Sequence, residues 1–197
     1  MRRTQVALAV LAVVGSGLYF YVLSRSVPPP VVIAALPRFE LTERDGSTVG
    51  SGDLAGAPWV ADFIFTRCAV YCPRLTARMK ELRQSLPPRV KSVSFSVDPD
   101  YDTPEVLAEY ARKWGIEGRE WLFLTGERET IWNLIRDGFL QPVEETPEVE
   151  ASPILHSNRF VLVDARGRMR GLYDAFDETA FERLLADLAA IEAEEEQ

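Results

Sequence analysis

Reactive side chains are scarce in this chain. Its 197 residues hold two cysteines, Cys68 and Cys72, and a single histidine, His156. So few cysteines exclude a disulfide-built scaffold, and a bridge between these two would enclose only three residues and constrain the unfolded chain little. Basic residues are also in short supply: 22 against 30 acidic, a net charge of −8. That balance lacks the basic footprint nucleic-acid binding needs, so no nucleic-acid partner is expected. No internal repeat is visible, and long uncharged runs are absent after residue 23. What remains is ordinary for a globular chain, 47% hydrophobic and 26% charged, enough for one domain with its own core.

The exception is the start. Residues 6–23 form an uncharged apolar run preceded by Arg2 and Arg3, with Tyr19 and Tyr21 placed like interfacial aromatics. The run is long enough to span a bilayer core, and its basic flank puts residues 1–5 in the cytoplasm. The expectation is a single uncleaved anchor, with the acidic domain on the periplasmic side of a bacterial inner (cytoplasmic) membrane. A cleaved signal peptide is the competing reading, with a shorter apolar core as its usual mark. No cysteine follows the run, which excludes a lipoprotein anchor. Residues 24–37, with Pro28-Pro29-Pro30, read as a semi-rigid tether. The domain then covers 38–191, and 192–197 form an acidic tail expected to fray.

Inside the domain, strand and helix signals alternate. Residues 39–49 read as a hairpin turning at Asp45-Gly46. The run Trp59–Phe65 reads as an apolar strand, and 73–86 shows helical spacing with Leu75, Met79, Leu82 and Leu86 on one face. Its arginines, Arg74, Arg78 and Arg83, read as a solvated face able to receive an anionic partner. Residues 90–97 alternate Val93, Phe95 and Val97 with Ser92, Ser94 and Ser96. Thr103-Pro104 starts a helix that ends near Gly115. Residues 121–124 form a short strand, 127–139 a helix, and 141–153 a proline- and glutamate-rich loop. A second hairpin over 159–173 turns at Gly167, and 178–191 is a closing amphipathic helix. Such alternation predicts an α/β domain, a central mixed sheet flanked by helices. The four tryptophans read as packing residues.

The chemistry concentrates at the three scarce residues. Cys68 and Cys72 follow the strand 59–65 and precede the helix, with Pro73 directly after. In helical geometry residues four apart have Cβ atoms about 5–6 Å from one another, so two thiolates can meet one ion. A helix N-terminus, aided by Arg67, would lower their pKa values. His156 opens the strand-like stretch before Arg159. Two thiolates and an imidazole form a ligand set for copper, as Cu(I) or Cu(II). Asp98 and Asp102 form a carboxylate pair, read as turn and cap chemistry rather than a metal site.

This order resembles the Sco/SenC family of copper-binding proteins. The resemblance spans about 39–188 and includes 63–73, 93–105 and 156–174. It implies a thioredoxin-like fold with an N-terminal β-hairpin, and copper ligation by Cys68, Cys72 and His156. It also implies a membrane-tethered metallochaperone for the copper A centre of cytochrome c oxidase. The implied partners are the copper A-bearing subunit and an upstream copper donor or thiol reductant. Two positions depart from the family. Ala69 replaces a frequent proline, and Leu155 replaces an aspartate able to support the histidine. A thiol–disulfide oxidoreductase keeping the target's cysteines reduced is the alternative, although its usual motif is one residue shorter.

Overall fold

A computed structural model describes residues 28–146 and 154–195. The apolar run 6–23 and the start of the tether lie outside the described residues. Among those described, no helix is long and apolar enough to cross a membrane.

The centre is built by three parallel strands, β4 (Trp59–Ile64), β5 (Lys91–Ser96) and β6 (Trp121–Thr125). Parallel strands need crossovers, and helices α1 (Tyr71–Ser85) and α2 (Pro104–Lys113) supply them. Thr103 caps α2 by accepting from the Val106 amide, with Pro104 at its first position. The predicted N-terminal hairpin is β2 (Glu40–Glu43) and β3 (Thr48–Gly50), which joins the sheet beside β6. Its turn uses Gly46 at φ +83°, a conformation glycine adopts without steric cost. The second hairpin, β9 (Arg159–Val163) and β10 (Arg168–Asp174), pairs antiparallel with the other side of β4. With the two-residue strand β1 (Ala34–Ala35) at one edge, the result is one mixed eight-stranded sheet flanked by helices, in the order β1-β10-β9-β4-β5-β6-β2-β3.

Four details differ from the sequence expectations, each for a nonlocal reason. The segment read as tether contributes strand β1 (Ala34–Ala35), paired with β10, and Arg170 donates to the Pro30 carbonyl. The helix over 127–139 divides into α3 (Arg128–Asn133) and a π turn (Leu134–Gly138), which places Phe139 against Trp59, Phe63 and Phe95. The closing helix α4 (Glu178–Glu195) runs past 191, because Glu194 pairs with Arg170 and Glu195 accepts the Ala165 amide. Finally, Ser92, Ser94 and Ser96 are buried like their apolar neighbours, since both faces of a central parallel strand are covered.

The arginines of α1 are not merely solvated. Arg78 donates to the Ala175 carbonyl and lies over the Phe181 ring, and Arg74 lies over Phe176. Their stems cover apolar surface while the charged ends stay near solvent. Trp59 and Trp121 are core residues, and Trp114 and Trp132 pack against the core from its edge.

Candidate metal centre

Strand β4 ends at Ile64, and the next six residues turn the chain into α1. The Cys68 amide closes the first bend on the Phe65 carbonyl at 3.3 Å. Helix α1 begins at Tyr71, two residues earlier than its apolar spacing suggested, so Cys72 lies inside its first turn. Pro73 falls where a helix amide has no intrahelical partner and therefore sacrifices nothing. Cys68 precedes the helix, so the two sulfurs converge through the turn and not along one helical face. The Cys72 amide donates to Cys68 Sγ, and the Phe65 amide to Cys72 Sγ, each at 3.4 Å.

The third member arrives from the segment read as loop. Val143–Glu145 forms β7 and Ile154–His156 forms β8, a two-stranded sheet in which Val143 faces His156. His156 therefore ends a short strand instead of sitting on a free loop, and it is turned toward the cysteines. Its Nε2 is 3.4 Å from Cys72 Sγ, and its ring meets Phe65 edge to face at 5.5 Å. Nδ1 lies 3.1 Å from the Ser157 carbonyl, which can only accept, so Nδ1 carries the proton. The Nε2 lone pair is thereby aimed at the cysteines. A backbone carbonyl does what a carboxylate at position 155 could have done. Ser157 is itself held by Gln141 at 2.7 Å, and Gln141 Nε2 donates to the Phe139 and Leu140 carbonyls.

Among the described residues, Cys68, Cys72 and His156 form a cluster whose ligand atoms all lie within 4.8 Å of one another. Two donors on opposite sides of one ion, with bonds of about 2.3 Å, span about that distance. The donor set, two soft sulfurs and a borderline nitrogen, fits copper in either oxidation state. The site is largely enclosed: Cys68 and Cys72 are 4% and 0% exposed, and only His156 reaches the surface. Both cysteines are free thiols.

Their protons are unequally held. A hydrogen bond from Cys72 holds Cys68 well below the ordinary thiol range, with help from backbone amides. Burial pushes Cys72 up, reinforced by the neighbouring Cys68 sulfur. The metal-free pair thus carries one thiolate and one thiol, and an entering cation displaces the remaining proton. Arg67 contributes less than its position suggested. Its guanidinium is taken up by Asp98 at 2.6 Å and lies over the Tyr101 ring.

Asp98 and Asp102 stand outside the cluster, as buried braces. Asp102 accepts from the Thr66 amide, from Thr66 Oγ1 at 2.5 Å and from Ser96 Oγ at 2.7 Å. Those bonds pin the chain two residues before Cys68. Asp62 went unnoticed in the sequence, although a carboxylate within the apolar run 59–65 is a signal. It is fully buried on β4, accepts from Ser94 Oγ at 2.6 Å, and its Oδ2 has no partner among the described residues. Burial pushes its pKa up to about 7, against the smaller opposing effects of Ser94 and His156.

A mixed sheet of this topology, with two cysteines at the turn after its central strand and a histidine closing over them, defines a thioredoxin-like thiol protein adapted to hold a metal. The chain belongs to the SCO1/SenC family, whose profile matches residues 33–191. It is 31% identical over 153 residues to the SCO1 protein homolog of Bacillus subtilis, covering 76% of this chain and 79% of that one. The structure of BsSco, described as a disulfide-switch member of the Sco family of cytochrome c oxidase assembly proteins, superposes with a TM-score of 0.73. Identity there is 29%, over 86% of this chain and 99% of that one. Bradyrhizobium japonicum ScoI, solved with copper bound, shares the fold at a TM-score of 0.67 and 23% identity, over 80% and 99% of the two chains.

Proposed function

We propose that this protein is a membrane-tethered copper chaperone, which holds one copper ion on Cys68, Cys72 and His156 and delivers it during cytochrome c oxidase assembly. The observation that carries the reading is the convergence of the chain's only cysteines with its only histidine. A family whose members include an oxidase assembly protein supports the destination, and the donor set supports the cargo. The ion is cargo, so it must leave intact; thiolate ligands exchange readily when an acceptor offers thiolates of its own. The acceptor is the copper A-bearing subunit.

The test is titration of the reduced full-length protein in detergent with Cu(I), followed by mixing with a metal-free copper A domain. We expect one copper per chain and its recovery on the acceptor. Binding without delivery, or no binding, sinks the reading. In that case the pair is a thiol–disulfide oxidoreductase, a role favoured by the unequal protonation of Cys68 and Cys72 and by the disulfide switch of BsSco.

The apolar run 6–23 is the proposed anchor, with the domain on the periplasmic side of the bacterial inner membrane. Protease added to spheroplasts should digest the domain, and protection of it would reverse the orientation.

A further inference from the structure

The surface beside the metal centre is apolar where a lone domain gains nothing from it. Val70, Tyr71 and Leu155 are 48%, 54% and 46% exposed. Next to them opens a cleft of about 330 Å³ lined by Tyr71, Arg74, Leu155, His156, Asn158 and Phe176. One wall is thus the metal ligand that reaches the surface, and the others are mostly aromatic or aliphatic. The lining includes one cation and no carboxylate.

The cation carries a charge with no counter-ion among the described residues. Arg74 lies 4.7 Å above the Phe176 ring and has no ion pair among the described residues. Arg78, one turn further along α1, is paired with Glu81 and Glu178. The carboxylate of Asp174, beyond Asn158, is already engaged by the Asn158 side chain and the Phe176 amide. A protein of net charge −8 therefore keeps an arginine with no ion pair among the described residues at the mouth of an apolar cleft that opens onto His156.

We propose that this cleft is the seat of the metal acceptor. The acceptor face inserts an apolar side chain between Tyr71, Leu155 and Phe176 and sets a carboxylate on Arg74. The inference rests on the delivery reading and names the chemistry of its partner: an acidic protein face with an apolar projection. Contact there brings the acceptor's donors to His156, so ligand exchange starts at the imidazole and reaches the buried sulfurs last. The ion keeps its oxidation state, each donor of this chain being replaced by one from the acceptor. A seat this small suits a transient encounter whose rate depends on charge.

The test uses full-length protein in detergent, loaded with Cu(I), in three forms: wild type, Arg74→Glu and Leu155→Ser. Copper affinity should be equal in all three, because neither residue is a ligand. Stopped-flow transfer to a metal-free copper A domain is the readout. Arg74→Glu should slow transfer by about tenfold or more at low salt and remove most of its salt dependence. Leu155→Ser should slow it several-fold at every salt concentration. Wild-type rates in both variants, with wild type delivering, overturn the seat and leave delivery standing. Failure of wild type to deliver removes the delivery reading and the seat together. A wild-type dimer that Arg74→Glu dissociates, seen by sedimentation, makes a second copy the occupant and also overturns the proposal.

Discussion

Replacing Cys68 or Cys72 by alanine is expected to lower Cu(I) affinity by more than about a hundredfold, beyond what loss of a supporting group around a metal costs. In the proposed ligand set each thiolate is a primary donor, and the cluster has one alternative sulfur to fall back on. The two variants differ in a second way. Cys68→Ala leaves the Cys72 amide, and Cys72→Ala the Phe65 amide, without their sulfur acceptors. An unsatisfied buried amide costs about 1–3 kcal/mol, and Cys72 is the more deeply buried of the two. Serine at either position keeps an acceptor while removing the soft ligand, so the serine variants separate metal loss from instability. His156→Ala should weaken Cu(II) far more than Cu(I), because two thiolates retain the softer ion while Cu(II) relies on the nitrogen. A His156→Ala protein with unchanged Cu(II) affinity and visible spectrum would falsify the ligand assignment.

The second large effect is expected from Asp62, and its sign follows from its burial. Its pKa stands at about 7 in the folded protein against an ordinary value of 3.8. A carboxyl group with a raised folded pKa stabilises most below the lower value. That contribution is lost as pH rises through about 7, because the unfolded chain ionises freely while the folded state must retain the proton or bury a carboxylate. At about 1.4 kcal/mol per unit, the loss reaches about 4 kcal/mol at full ionisation. Asp62→Asn keeps the shape and cannot ionise. Metal-free wild type and variant should therefore be similar in denaturant stability near pH 4, with the variant pulling ahead between pH 5 and 8. Parallel stability curves across that range would show that Asp62 is not held neutral.

Much of the architecture was legible because it rests on local chemistry. The Asp45-Gly46 and Gly167 turns, the Thr103-Pro104 cap and the apolar spacing of Leu75, Met79 and Leu82 are each decided within a few residues. The alternation of strand and helix then leaves few ways to close a sheet. Segments whose state depends on a distant partner were misread. Strand β7 exists because β8 pairs with it, and β1 because β10 offers a free edge. The serines of β5 looked solvent-facing by their period of two. Ser94 instead binds Asp62 and Trp121, and Ser96 binds Asp102.

The same division runs through the site. Sequence alone named the candidate ligands, since thiolate and imidazole are offered only by two cysteines and one histidine. It also determined that the cysteines stand where a strand becomes a helix. Only the tertiary structure decided that His156 reaches them, by closing 84 residues of chain and pinning the imidazole proton on the Ser157 carbonyl. The inequality between the thiols, the Asp98 partner that withdraws Arg67, and the placing of Arg74 over Phe176 beside the site were likewise decided there. These depend on burial and on which charges meet. Both are properties of distances through space, which a linear order of residues does not contain.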